Sequence, residues 1–234
     1  MKQTTLLRSA ILAGSALVAG FALAGDDPVP AAPSSGLDVE LGFGYSSEYL
    51  FRSINFGDDL FHASIGLSGS GSLPIVGDVD LSAGLDLRTV SVASEVSPNA
   101  DGTVSGQEMR ITAAATKALG SLVLWVGVTN YSYFGLDPAI GDDIEPYVSV
   151  STELSGVSLG VAAYYDESDS YGYDLYWEFS AGYAIGDLGL SATYGYFDDE
   201  VEYFALSAGY DIAVSDSITI SPHITTTFSD DLGD

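Results

Sequence analysis

The sequence predicts an all-β fold: a closed, antiparallel, up-and-down transmembrane β-barrel. Three observations predict it. Apolar and polar residues alternate with a two-residue period from residue 37 to residue 228, the N-terminus has the order of a secretory signal peptide, and short and long connections alternate. Successive side chains of a strand point to opposite faces, so this alternation gives one apolar and one polar face. An amphipathic helix would repeat every 3.6 residues instead.

Residues 1–24 have the order of charge and apolarity that a signal peptide needs. Lys2 and Arg8 form a positive region, residues 10–22 are apolar and mostly small, and residues 22–24 read Ala-Leu-Ala, which fits a cleavage site. Residues 25–36 contain three prolines and predict a flexible linker, which leaves 37–234 as the barrel. No later stretch of the sequence reaches the roughly 18 apolar residues of a membrane helix. We therefore expect the outer membrane of a Gram-negative bacterium.

The composition narrows the classes of function. The chain has no cysteine, which excludes disulfides and thiolate metal sites. Without residues 1–24 it keeps four of its six basic residues and all 33 acidic ones, a formal charge of 4 minus 33, or −29. This charge argues against nucleic-acid binding. It fits simple solubility, a pore that attracts small cationic solutes, or loops bridged by divalent cations.

Eleven strands follow from the alternation. They cover about 37–52, 60–69, 79–92, 107–118, 121–134, 144–154, 157–165, 171–185, 188–196, 203–212 and 217–228. The fifth is apolar on both faces at its start, so the sequence leaves its orientation open. Bacterial single-chain barrels usually have an even number of strands. We therefore expect twelve, with ten as the alternative, and the extra strand would lie in 53–59 or 229–234.

The connections between these strands alternate in length. Those near 120, 155–156, 186–187 and 215–216 are two to three residues long, as in tight hairpins. Most of the others, notably 93–105 and 135–143, are longer and rich in Asp, Gly, Asn and Pro. Short turns at one end and long loops at the other are typical of an outer-membrane barrel, with the short turns in the periplasm.

The composition of the two faces favours lipid outside over a soluble core inside. The polar face is dominated by Gly, Ser, Thr and Ala, which suit a crowded lumen, and the apolar face carries aromatic residues toward the strand ends, as an interfacial girdle does. These aromatic residues include Tyr45, Tyr49, Phe51, Phe61, Tyr171, Tyr173, Tyr194, Tyr196 and Phe204. A secreted β-sandwich or solenoid is the alternative fold.

One segment carries a family resemblance. Residues 47–52 read Ser-Glu-Tyr-Leu-Phe-Arg, and they resemble the Ser-x-Tyr-x-Phe-Arg-Gly motif of an uncharacterised family of bacterial outer-membrane barrels, the Gcw-type conserved hypothetical proteins. The likeness extends more loosely through the Tyr-rich strands to the C-terminus, and Ser53 departs from the Gly of the motif. The resemblance implies an outer-membrane location and a barrel fold, and it implies no activity.

Six charged residues on the predicted polar face form the candidate site. They are Arg52, Arg88, Arg110, Glu48, Asp86 and Glu108. They could form a charged constriction that selects permeating solutes, or a salt-bridged plug that satisfies buried charges in a narrow barrel. Both interpretations remain open from the sequence.

We predict no catalytic residue and no cofactor. The two histidines, His62 and His223, fall on the polar face, where Ser64, Ser221 and Asp211 are the neighbours that a hydrolase would need. Acidic clusters at 142–143, 166–169 and 198–200 could hold Ca²⁺, although none has the spacing of an EF-hand. The predicted function is a narrow, cation-preferring pore or a structural membrane protein in contact with outer-membrane lipid. The alternative is a barrel enzyme or a surface-binding protein that acts through acidic extracellular loops.

Overall fold

A computed structural model of the protein describes residues 37–51, 54–92, 104–134, 143–165, 175–197, 201–215 and 217–229. The predicted signal peptide and linker and most of the longer loops lie outside these ranges. Within them every regular element is a β-strand, and no helix is long and apolar enough to cross a membrane.

The strands follow one another along the chain as a meander. They are β1 (Asp38–Phe51), β2 (Ile54–Leu73), β3 (Gly77–Val92), β4 (Val104–Leu119), β5 (Leu122–Phe134), β6 (Asp143–Leu154), β7 (Val157–Tyr165), β8 (Leu175–Ile185), β9 (Leu188–Phe197), β10 (Val201–Tyr210), β11 (Ile212–Ser215), β12 (Ile218–Ile220) and β13 (His223–Ser229). An antiparallel sheet of eleven strands contains β1 to β10 in chain order and then β13. β11 and β12 form a separate two-stranded hairpin.

The tight hairpins predicted from the sequence are confirmed at one end of the sheet. Ser155 and Gly156, which join β6 to β7, both have positive φ angles, 56° and 80°. Two consecutive residues with positive φ are the mark of a type I′ turn, whose twist matches that of the flanking strands. Gly120 and Gly186 also have positive φ in the equivalent turns. We call this end the short-turn end and the opposite one the long-loop end.

The sheet exposes its apolar face and buries much of its polar face. Phe43 is 80% exposed and Phe179 is 48% exposed, although both lie inside long strands. The exposed set continues along the sheet with Val39, Leu41, Phe61, Leu87, Ile111, Val126, Val128, Ile144, Val148, Trp177, Tyr183, Phe204 and Leu206. This assigns β5 the orientation that the sequence left open, with Val126 and Val128 on the exposed side and Thr129 and Tyr131 buried.

Contacts across the polar face indicate that this face is concave. Tyr49 on β1 donates a hydrogen bond to Glu108 on β4, with 2.8 Å between Oη and Oε2. Three strand spacings separate these two strands, about 14 Å in a flat sheet. Side chains that rise from strands so far apart meet most readily when the sheet curls toward them.

The pairing registers drift steadily along the sheet. A row of directly paired residues begins at Asp38, at the short-turn end of β1, and reaches Tyr147 on β6. The same row ends at Val201, at the long-loop end of β10. The drift is therefore roughly one residue per strand, as in strands that tilt around a barrel axis.

Two of the sequence-based expectations for the sheet need correction. The described sheet has eleven strands rather than twelve or ten, because residues 54–59 are the first part of β2 and Ser229 is the last described residue of β13. The described sheet is also open: β1 and β13 are its edges, and no hydrogen-bonded ladder joins them within the described ranges. Residues 230–234 lie outside those ranges.

A local irregularity reverses the predicted faces at the end of β1. Glu48 is exposed and Tyr49 is only 3% exposed, the opposite of what strict alternation predicts. The pairing of β1 with β2 skips Ser47 and Asp59, and Asp59 has a left-handed φ of 55°. The register of β2 against β3 also shifts between Asp58 and Phe61, which marks a bulge in β2 at this point. Such a bulge turns the following side chains to the other face. The predictions of Tyr49 in the aromatic girdle and of Glu48 in the lumen are therefore wrong.

Candidate functional site

The site begins with two short charged triplets that lie side by side on the concave face. Asp86-Leu87-Arg88 is on β3 and Glu108-Met109-Arg110 is on β4. The register pairs Asp86 directly with Arg110, and Arg88 directly with Glu108. Each charge therefore has an opposite charge two residues away on its own strand and another across the ladder. We call Asp86, Arg88, Glu108 and Arg110 the charge quartet.

Within each strand, a hydrogen bond joins the arginine of the triplet to its acidic residue. Arg88 Nε donates to Asp86 Oδ2 at 2.7 Å, and Arg110 Nε donates to Glu108 Oε1. Arg88, Glu108 and Arg110 are buried, with exposed fractions of 3% to 6%. Buried charges are costly unless they are paired and hydrogen-bonded. The alternating arrangement meets that requirement.

Tyr49 ties the quartet to the edge of the sheet. Its hydroxyl donates to Glu108 and accepts from Arg110 Nη2. The guanidinium carbons of Arg88 and Arg110 lie 5.4 Å and 5.8 Å from the centre of its ring, within the range of cation–π attraction. Because of the bulge at Asp59, opposite Ser47, Tyr49 covers both arginines from inside the concave face.

The network continues from the quartet into β5 and β6. Arg110 lies 4.9 Å from the ring centre of Tyr131, whose hydroxyl donates to Glu145 Oε1 at 3.1 Å. On the other side, His62 Nδ1 lies 3.7 Å from Asp86 Oδ1. Arg88 Nη1 is buried and has no hydrogen-bond partner among the described residues. A buried guanidinium N–H in that position can donate a hydrogen bond to an ordered water molecule.

A second buried network, of tyrosines around one carboxylate, lies on β7 to β10. Tyr203 donates to Glu178 Oε1 at 2.7 Å, and Tyr164 donates to Glu178 Oε2 at 3.3 Å. The hydroxyls of Tyr176 and Tyr203 are 2.6 Å apart. No lysine or arginine occurs after residue 117, so tyrosine hydroxyls serve here as donors, as Arg110 does in the quartet. We call Tyr164, Tyr176, Glu178 and Tyr203 the tyrosine network.

Glycines make room for the large inward rings. Tyr203 pairs with Gly195 on β9, and Gly195 in turn pairs with Glu178 on β8. Because Gly195 has no side chain, the Tyr203 ring can extend across β9 and reach the carboxylate of Glu178 on β8. A Cβ atom at Gly195 would collide with Cε1 of that ring. Tyr147 uses Gly127 in the same way, where an added Cβ would be 2.5 Å from the ring.

The substitution Gly195→Ala tests this close approach. We expect it to lower the free energy of unfolding by about 1–3 kcal/mol, the usual cost of overpacking, because Tyr203 must leave Glu178. Gly66→Ala is the matched control: its added Cβ would be 3.7 Å from Glu40 Cβ, an ordinary contact. That variant should be unchanged, or more stable by about 0.5 kcal/mol. Urea unfolding followed by tryptophan fluorescence measures both, and equal losses would contradict the packing argument.

The two networks divide the concave face into unlike halves. The quartet, Tyr49 and the tyrosine network lie within about six residues of the long-loop ends of their strands, and all of them except the partly exposed Asp86 are almost completely buried. Toward the short-turn end the same face has small side chains such as Ser82 and Ala114 and is more accessible. Exposed carboxylates also lie in that half, including Asp80 and Glu153. The concave face is therefore filled at one end and open and acidic at the other.

The structure brings together four of the six predicted site residues. Asp86, Arg88, Glu108 and Arg110 form the quartet, Glu48 lies exposed and apart from it, and Arg52 lies outside the described residues. The alternation in the sequence puts Tyr164, Tyr176 and Tyr203 on the polar face, although it assigns them no role. Their signal is visible in retrospect: large tyrosines interrupt a face otherwise made of Gly, Ser, Thr and Ala.

The remaining candidate groups are distributed as follows. His62 is buried beside Asp86, and His223 is exposed on the edge strand β13. Ser221 donates to Asp211 at 2.5 Å. The described residues contain no group of three or more His, Asp or Glu side chains arranged to hold a metal ion. Of the acidic clusters considered for Ca²⁺, residues 142, 166–169 and 198–200 lie outside the described ranges.

Comparison with known proteins adds no relative: no family model, no curated protein and no solved structure matches the chain.

Proposed function

We propose that the protein is an outer-membrane β-barrel whose concave face lines a narrow, cation-preferring lumen. The observation that carries the proposal is the distribution of side chains between the two faces: the apolar face is exposed and the charged face is buried. A water-soluble sheet buries its apolar face, whereas a sheet in lipid exposes it and satisfies its own polar groups inside. The family resemblance at residues 47–52 supports the same location.

The lumen closes at the long-loop end and opens at the short-turn end. Asp80 and Glu153 give the open half a negative potential, which attracts small cationic solutes. The quartet and the tyrosine network narrow the other half, so that permeation through the wild-type protein is slow. A structural membrane protein with a permanently closed lumen is the second candidate function, and the near-complete burial of Arg110 and Tyr176 favours it.

Two measurements on refolded protein test the proposal. A closed barrel should resist detergent, so that its electrophoretic migration changes only after boiling. In planar bilayers we expect small conductance steps that favour cations over anions. Migration that does not respond to heat would contradict the membrane barrel. Anion preference would contradict the acidic lumen, and a heat-modifiable protein without conductance would leave the structural role.

A charged residue on the apolar face distinguishes lipid from water. Phe179 lies in the middle of β8 and is 48% exposed, so Phe179→Arg in a soluble sheet would change stability little. In a bilayer we expect it to lower the free energy of unfolding by about 2–4 kcal/mol. Leu154→Arg, at an exposed site beside the Ser155-Gly156 turn, is the control and should cost at most about 1 kcal/mol. Unfolding in lipid vesicles measures both, and a small loss at residue 179 would contradict the lipid-facing assignment.

A further inference from the structure

The two open edges of the sheet run in the same direction. Ten antiparallel pairings separate β1 from β13 in the order of the sheet, and an even number of reversals restores the starting direction. Both strands therefore run from the short-turn end to the long-loop end. In lipid an unpaired edge leaves a row of peptide groups without hydrogen bonds, so a membrane sheet must close.

We infer that, in the membrane, β1 and β13 of the same chain pair with each other in parallel and form the only parallel ladder of an eleven-stranded barrel. We call this pairing the seam. The inference rests on the proposed function, because only lipid requires the edges to meet. It also resolves the odd strand number, which is incompatible with an entirely antiparallel closed barrel.

The side-chain pattern of both edges fits the seam. Val39, Leu41 and Phe43 of β1 are exposed on the apolar face, and so are Ile224 and Phe228 of β13. A ladder between the two strands would continue the apolar face without a break. It would also place Gly42, Gly44 and Glu40 on the concave side, together with His223, Thr225 and Thr227.

The register drift fits closure within one chain. The row that begins at the short-turn end of β1 ends at the long-loop end of β10, so one circuit of the sheet displaces the ladder by about one strand length. That displacement brings the two short-turn ends together and the two long-loop ends together, as a parallel seam requires. A second copy is not needed, since the contact of Tyr49 with Glu108 across three strand spacings indicates tight curvature.

Cysteine cross-linking tests the direction of the seam, because the chain contains no cysteine of its own. Ile224→Cys or Phe228→Cys is combined in turn with Val39→Cys, Leu41→Cys, Phe43→Cys or Tyr45→Cys, and the refolded protein is oxidised. All these side chains are exposed, so the variants differ in position and little else. We expect cross-links within one chain, and the best partner on β1 should move toward Tyr45 when the cysteine moves from 224 to 228.

The outcomes separate the seam from the proposed function. If the electrophoretic migration of the wild-type protein does not change on boiling, the membrane barrel itself is contradicted. If the migration does change, three results overturn the seam: a best partner that moves toward Val39, which means antiparallel pairing; cross-links only between two copies; or no cross-link at any pair. The pair Phe179→Cys with Ile224→Cys, on strands not adjacent in the sheet, gives the background level of cross-linking.

Discussion

Replacing Arg110 by methionine is expected to lower the free energy of unfolding by about 3–5 kcal/mol, the usual cost of removing one partner of a buried ion pair. Arg110 is 3% exposed, and its removal leaves Glu108 with the Tyr49 hydroxyl and with Arg88 across the ladder. Methionine keeps an aliphatic stem and lacks the guanidinium group, so the loss reports the charge of Arg110 together with its hydrogen bonds to Glu108 and Tyr49. Urea unfolding of the refolded protein in detergent or lipid gives the value.

A second substitution shows whether the loss belongs to the pair. Arg110→Met combined with Glu108→Gln removes both charges and leaves Asp86 and Arg88 as a complete ion pair. We expect the double variant to recover more than half of the loss, because no uncompensated carboxylate remains. Lys117→Met is the control on the same strand. Lys117 donates to a backbone carbonyl at an exposed site, and its removal should cost less than about 1 kcal/mol. Equal losses at residues 110 and 117 would contradict the role of the quartet.

The quartet also shows which features of the candidate site can be predicted from the sequence alone. Asp86-Leu87-Arg88 and Glu108-Met109-Arg110 place each acid and arginine on one face, and strict alternation predicts this correctly. Whether the two triplets lie opposite each other depends on the register of β3 against β4. The connection between these strands is long, so it does not fix the register as a two-residue turn does. The sequence therefore predicted the members of the quartet but not their pairing.

Alternation was most reliable where tight turns join the strands. From β6 to β10 the predicted faces are confirmed, including Glu178 inside and Phe179 outside. It failed at the end of β1, where the bulge at Asp59 of β2 exchanged the faces of Glu48 and Tyr49. Gly57-Asp58-Asp59 is a local signal of this bulge, and such a segment equally suits an ordinary turn. The number of strands was wrong because it relied on what is usual for bacterial barrels and not on the residues.

The exchange at the bulge leads to a functional prediction, in which Tyr49→Ala opens the lumen. Tyr49 covers both arginines of the quartet and connects β1 to β4 through Glu108. Removing its ring would empty the centre of the proposed constriction and free the side chains of Arg88 and Arg110 to move. We expect the conductance in planar bilayers to rise several-fold, because conduction depends most on the narrowest part of a pore. Arginines released into the path should also weaken the preference for cations.

Tyr45→Ala is the matched control for this experiment, because the two tyrosines lie four residues apart on one strand and strict alternation places both on the apolar face. Tyr45 is 54% exposed. Its ring centre lies 5.0 Å from that of Phe61, and its hydroxyl donates a hydrogen bond to Asp59 Oδ1. Its removal should leave conductance unchanged. If neither variant conducts, the lumen is closed by more than Tyr49 and the structural role is favoured. If both variants raise conductance equally, the bulge does not direct Tyr49 into the lumen, and the constriction must be assigned to other residues.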